Sequence, residues 1–179
     1  MIDYGAEMAA YRSGQKVREG SGVDKDDITW TDEAGSFKYR AAAAVRHDDR
    51  LLVCAVEHID GWFLPGGKVH FGEGSAAALA RELHEEIGLE FAVGDEPLLI
   101  TEAIRDDDGK PHQEVCFYYS VLWPDDVPPG VVDDLDGHSF RWIRFADLAE
   151  ENFVPPEIVK ILMDGSSALR HLTYDRRRP

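Results

Sequence analysis

The spacing of apolar residues along the chain switches between two-residue and three- to four-residue steps, and those switches mark out its elements. Phe37 to Val45 and Leu51 to Glu57 are apolar runs joined by the polar turn His47-Asp48-Asp49, which predicts two strands. Trp62-Phe63-Leu64 predicts a short third strand before a glycine turn. From Ser75 to Ile87 the rhythm becomes helical, with Ala76, Leu79, Leu83 and Ile87 forming one stripe. Ser75 is the expected N-cap and Gly88 stands where a helix-ending glycine belongs. Strand patterning returns over Leu98 to Arg105, then a turn at Asp106–Lys110. It continues over His112 to Trp123, where Val115, Phe117, Tyr119 and Val121 alternate toward one side.

Residues 124–137 are rich in proline and aspartate and predict a loop. A strand is expected from His138 to Phe145, a helical turn over Ala146–Glu150, and a closing helix from Pro156 to Leu172. Residues 1–35 are polar and weakly periodic, apart from a short helix expected near Ile2–Tyr11. The expected division is an N-terminal extension over 1–35, one domain over 36–172 and a flexible tail over 173–179 that includes Arg176-Arg177-Arg178. The order of elements predicts a mixed sheet with a helix against each face, an α/β or α+β fold.

Composition narrows the function classes. A chain of 179 residues is long enough for one well-formed core. It lacks a run of roughly 18 apolar residues, so no membrane span is expected. The start of the chain lacks the basic head and apolar run of a secretory signal, and Cys54 and Cys116 read as buried free thiols. Both point to the cytoplasm. A net charge of −16 argues against a nucleic-acid duplex or an anionic membrane as partner.

The chemistry concentrates between Gly67 and Leu89. On the helix, Glu82, Glu85 and Glu86 share one flank of the apolar stripe while His84 takes the other. Like charges one turn apart repel by roughly 0.2–0.5 kcal/mol per pair, which a hard divalent cation would relieve. A solvated acidic face with Arg81 paired to Glu85 is the plain alternative. The full pattern decides between them: Gly67, five residues, Glu73, seven residues, then Arg81-Glu82-Leu83-His84-Glu85-Glu86-Ile87-Gly88-Leu89.

That pattern resembles the signature of the Nudix hydrolases, with every specified position filled. The resemblance implies an α/β/α sandwich and Mg²⁺- or Mn²⁺-dependent hydrolysis of a diphosphate linkage. The substrate class it implies is a nucleoside diphosphate joined to another moiety. It implies Glu86, Glu85 and Glu82 as metal ligands, with the carbonyl of Gly66 beside them. Glu82 is also the implied base, and Glu73 would position the site through Arg81. Family members recruit a further acid from outside the signature. Glu114 is the choice here, facing away from Val115 and Phe117, with Asp133, Asp134 and Asp136 as loop alternatives. Arg40 is a candidate phosphate clamp. Phe63, Tyr118 and Trp142 are candidate stacking partners for a base, against core packing for each. Motifs specific to individual substrates are missing, so the substrate stays open. Family members are often homodimers, an assembly the resemblance allows, while the sequence itself leaves the oligomeric state open. A Nudix-fold binding or sensor module with little catalytic activity is the alternative, and the intact signature favours the enzyme.

Overall fold

In a computed structural model of the chain, the described residues are 26–56, 60–107, 109–130, 138–164 and 168–177. They form a seven-stranded mixed sheet: β1 (Thr29–Thr31), β2 (Ser36–His47), β3 (Arg50–Val56), β4 (Leu99–Asp107), β5 (Lys110–Leu122), β6 (His138–Arg144) and β7 (Arg170–Asp175). The order across the sheet is β6-β3-β2-β5-β4-β7, with β1 added on β2. Helix α1 spans Ser75–Ile87 and helix α2 spans Glu157–Asp164. A 3-10 turn over Phe145–Glu150 follows β6.

The central strand explains the layering. In β2, Ala41, Ala43 and Val45 face α1 and pack with Leu79 and Leu83, while Ala42 and Ala44 face the other way toward Leu148, Ile158 and Leu162. Residues 41–45 are all buried, as a strand covered on both faces must be. On one edge β2 runs parallel to β5 from Ser36↔His112 to Arg46↔Leu122. On its other edge β2 meets β3 only at Arg46 and His47.

The sheet therefore splits between β2 and β3, and the segment after Leu64 fills the gap. Ala43 N donates to the Pro65 carbonyl at 2.9 Å, Ala41 N to that of Gly67 at 3.0 Å, and Val69 N to that of Tyr39 at 3.0 Å. Gly66 lies so close to β2 that a Cβ there would stand 2.3 Å from the Ala41 carbonyl oxygen, and its φ is 137°. Both facts demand glycine. The glycine turn is thus wedged into the sheet, with α1 directly after it.

Several expectations are corrected. Helix α1 is capped by Gly74 without a side-chain bond, and Ser75 is its first residue. The Ser75 hydroxyl instead hydrogen-bonds Tyr119 Oη at 2.6 Å. Gly88 does end the helix in the left-handed region, at φ 80°. The expected closing helix stops at Asp164, and Arg170–Asp175 forms β7, parallel to β4. Arg176 is no frayed end: its backbone N–H reaches the Ile104 carbonyl at 2.7 Å and its guanidinium pairs with Glu157. Within the stretch expected to be an extension, Thr29–Thr31 joins the sheet through Thr29↔Lys38. The helix expected near Ile2–Tyr11 lies outside the described residues.

Gly66→Ala should cost about 3 kcal/mol or more, because strained backbone and a blocked Cβ act together. Gly72, at φ 88° with nothing within 4 Å of a built Cβ, provides the control. Gly72→Ala should cost about 1 kcal/mol, from backbone strain alone. Urea denaturation of the two variants checks this; equal losses would mean the turn is not wedged.

Candidate functional site

One cavity of about 530 Å³ opens where the glycine turn meets α1. Gly66, Gly67, Glu82, Glu85 and Glu86 line one side. Lys38, Arg40, Lys68 and His70 line the rest, with Asp27 and Arg81 between.

Arg81 organises the acidic side. Its Nη2 donates to Glu73 Oε1 at 2.8 Å and to the Lys68 carbonyl at 2.9 Å. Its Nη1 reaches Glu82 Oε1 at 3.0 Å and Glu85 Oε2 at 3.2 Å. A planar guanidinium suits this fork of acceptors in a way that a lysine ammonium would not. Glu73 also caps the turn by accepting from the His70 backbone N–H at 2.7 Å. Burial works against the charge on Glu73, but the bonds from Arg81 and the His70 N–H outweigh it and lower its pKa.

Glu82 and Glu86 are in a different state. Burial raises the pKa of Glu82, with Arg81 pulling the other way. Glu86 is pushed up to about 7, first by burial and then by the neighbouring Glu82 charge. The Gly66 backbone N–H, 3.2 Å from Glu86 Oε2, and the Arg40 charge oppose that shift. Gly67 leaves the space for Glu82: a Cβ on it would fall 2.1 Å from the Glu82 carboxyl carbon.

Two partly buried carboxylates beside a backbone carbonyl make an all-oxygen donor set, the kind that Mg²⁺ and Mn²⁺ prefer. The chemistry of the residues present fits such an ion. Their arrangement is held by the protein's own groups: among the described residues, no three acidic, His or Cys side chains bracket a common point at ligating distance. Arg81 holds Glu82 and Glu85, and Arg40 Nη2 donates to the Gly66 carbonyl at 3.0 Å. The carbonyl expected to face a metal therefore meets a guanidinium here.

The other expected site residues divide. Arg40 lines the cavity as expected. Glu114 is not among the lining residues; it is buried on β5 beside Lys38 of β2. Phe63 pairs its backbone with Cys54 outside the lining, and Tyr118 is buried in the core. Trp142 packs edge-on against Trp123. The rings of Tyr118 and Trp142 are thus engaged by the fold, and Phe63 stands outside the cavity lining. Asp133, Asp134 and Asp136 lie outside the described residues.

Sequence reasoning missed Asp27. This buried residue accepts from Lys68 Nζ at 2.6 Å and stands 3.3 Å from His70 Nε2. Its backbone bridges to that of His70, which brings a residue from before the first strand to the cavity wall. The only signal for it was its place immediately before the β-branched pair Ile28-Thr29.

Comparison with known proteins places these features in a family context. The NUDIX domain matches residues 37–162. A Mycobacterium tuberculosis protein with the provisional name 8-oxo-dGTP diphosphatase 2 is 35% identical over 96 residues, covering 54% of this chain and 62% of that one. Diphosphoinositol polyphosphate phosphohydrolase 2 of Rattus norvegicus is 36% identical over 74 residues, covering 39% and 41%. The chain thus spans less than two thirds of the length of these relatives. Among solved structures, a MutT protein from Bacillus halodurans superposes with a TM-score of 0.61 at 21% identity, over 77% of this chain and 90% of that one. A MutT NUDIX hydrolase from Burkholderia pseudomallei gives 0.54 at 25% identity, over 69% and 95%.

The raised pKa of Glu86 has a consequence for stability without metal. Its folded-state value of about 7 lies above the ordinary 4.5, so the folded state holds a proton that the unfolded chain releases. Stability should therefore fall as pH rises through that window and stay low above it. In chelator at pH 8, Glu86→Gln should be more stable than wild type by about 1–2 kcal/mol, shrinking toward zero near pH 5. Thermal melts across pH decide it; a variant equally or less stable at pH 8 would show that the carboxylate is not held against its charge.

Proposed function

The chain belongs to the NUDIX domain family, and from that premise we propose that it is a divalent-metal-dependent hydrolase of diphosphate linkages in small phosphorylated substrates, nucleotides among them. One observation carries this reading. The three glutamates after Arg81, Gly66 and the cations of β2 all line one cavity, with Glu86 half-buried at a backbone N–H.

Glu82, Glu85, Glu86 and the Gly66 carbonyl would hold Mg²⁺ or Mn²⁺. When bound, such an ion polarises phosphoryl oxygens and neutralises charge as the linkage breaks. Around it, Arg81 fixes the glutamates and ties them through Glu73 to the glycine turn. Glu82, whose burial raises its proton affinity, accepts the proton of the attacking water. Oxygen then adds to one phosphorus, the bridging P–O bond breaks, and the other phosphate leaves with that bond's electrons. Arg40 offers its guanidinium to a phosphate oxygen. The buried free thiols Cys54 and Cys116 support action in the cytoplasm.

The test uses the full chain with Mg²⁺ or Mn²⁺ and a panel of nucleoside diphosphate derivatives, nucleoside triphosphates and diphosphoinositol polyphosphates. Wild type should release phosphorylated products from at least one compound, and chelator should stop it. Glu86→Gln should lower kcat on the order of 10²-fold or more while remaining folded. Turnover that persists in chelator or in the variant would overturn the reading. So would the absence of turnover on every compound, which would favour a binding module.

A further inference from the structure

Sorting the charges around the cavity leaves an excess on one side. Arg81 is engaged by Glu73, Glu82 and Glu85. Lys68 is paired with Asp27. Lys38 and Arg40 are different. They lie two residues apart on β2, so both project from the same face of the strand into the cavity. Arg40 hydrogen-bonds a neutral carbonyl. The Lys38 side chain makes no hydrogen bond or ion pair among the described residues; the carboxylate whose charge acts on it is Glu114 on the neighbouring strand.

That placement is costly. Burial lowers the pKa of Lys38, only Glu114 opposes the shift, and the like charges of Arg40, Arg105 and Lys68 add to it. In a chain with net charge −16, carboxylates are abundant, yet among the described residues no ion pair neutralises this side chain. A half-buried cation of this kind is satisfied by an anion that arrives from solution. The described lining adds a second constraint: it contains no Phe, Tyr, Trp or aliphatic side chain that would enclose a base, and its one ring, the His70 imidazole, stands 3.3 Å from Asp27. Affinity at these walls therefore comes from charge and hydrogen bonding, unlike the mostly apolar lining of common small-molecule sites.

We propose that Lys38 is a specificity-determining residue: with Arg40 it binds a phosphoryl group beyond the two joined by the scissile linkage. The preferred substrate then carries three or more phosphates, rather than a diphosphate ending in an uncharged group. This rests on the hydrolase reading above for the location of the reacting linkage.

The experiment compares binding and turnover. Isothermal titration in magnesium buffer measures pyrophosphate and tripolyphosphate on wild type, Lys38→Gln and Lys38→Arg. Wild type should bind tripolyphosphate about tenfold more tightly than pyrophosphate. Lys38→Gln should bring that ratio to about threefold or less, and Lys38→Arg should restore most of it. In steady state, Lys38→Gln should raise KM for compounds with three or more phosphates more than for two-phosphate compounds, with kcat little changed. A ratio unchanged in Lys38→Gln, or equal affinities in wild type, overturns the proposal even if hydrolysis is observed. The expected ratios without any turnover would sustain the phosphate subsite and sink the hydrolase reading instead.

Discussion

A single guanidinium reconciles what the sequence sets in conflict. Glu82, Glu85 and Glu86 on one flank of a helix repel one another, and Glu73 in the preceding turn adds a fourth acid. Arg81 sits among them and bonds to Glu73, Glu82, Glu85 and the Lys68 carbonyl at once. Because those acceptors come from both the helix and the turn before it, the contact also locks α1 against the wedge that splits the sheet. Glu86 is the member left outside this fork, held by the Gly66 N–H instead. Burial, and after it the neighbouring Glu82 charge, raise its proton affinity, with the Gly66 N–H opposing them.

The parts of the molecule legible in the sequence are those whose cause is local. Helix α1 was readable because its apolar stripe, its terminating Gly88 and its charged flank all lie within one short stretch. Glu73 and Arg81 were readable for the same reason, through a spacing that matches a known signature. The parts that were missed depend on partners far along the chain. Strand β7 alternates half-buried and exposed positions over Arg170–Asp175, but only the open edge of β4 makes it a strand. Asp27 gained its place from Lys68 and His70, some forty residues onward. The burial of Tyr118 was hidden for a third reason: alternation assigns a face of the sheet but not whether that face is open. Tyr118 lies on the face that α2 and the 3-10 turn cover.

The alanine run of β2 links fold to chemistry. The Gly66 backbone lies directly against that run: a Cβ on it would meet the Ala41 carbonyl and the Ala42 Cα. With the glycines seated, the Gly66 N–H reaches Glu86 and its carbonyl reaches Arg40, two bonds of opposite polarity from one residue. The same strand, just upstream, turns Lys38 and Arg40 toward that cavity. β2 therefore supplies both the support for the acidic wall and the cations that face it.

This arrangement explains how so acidic a chain can receive an anion. The carboxylates nearest the cavity are held by Arg81, by Lys68 or by a backbone donor, and each such bond removes part of the repulsion that a phosphate would meet. Arg40 at the Gly66 carbonyl leaves its charge uncancelled, and Lys38 has none of its own charge cancelled by direct contact. The local field then differs in sign from the molecular one over the β2 side of the cavity. Because that difference arises from which groups are paired rather than from how many are present, net charge alone gives no guide to the ligand. The pairing pattern does, and it favours a ligand bearing more negative charge than the reacting linkage alone provides.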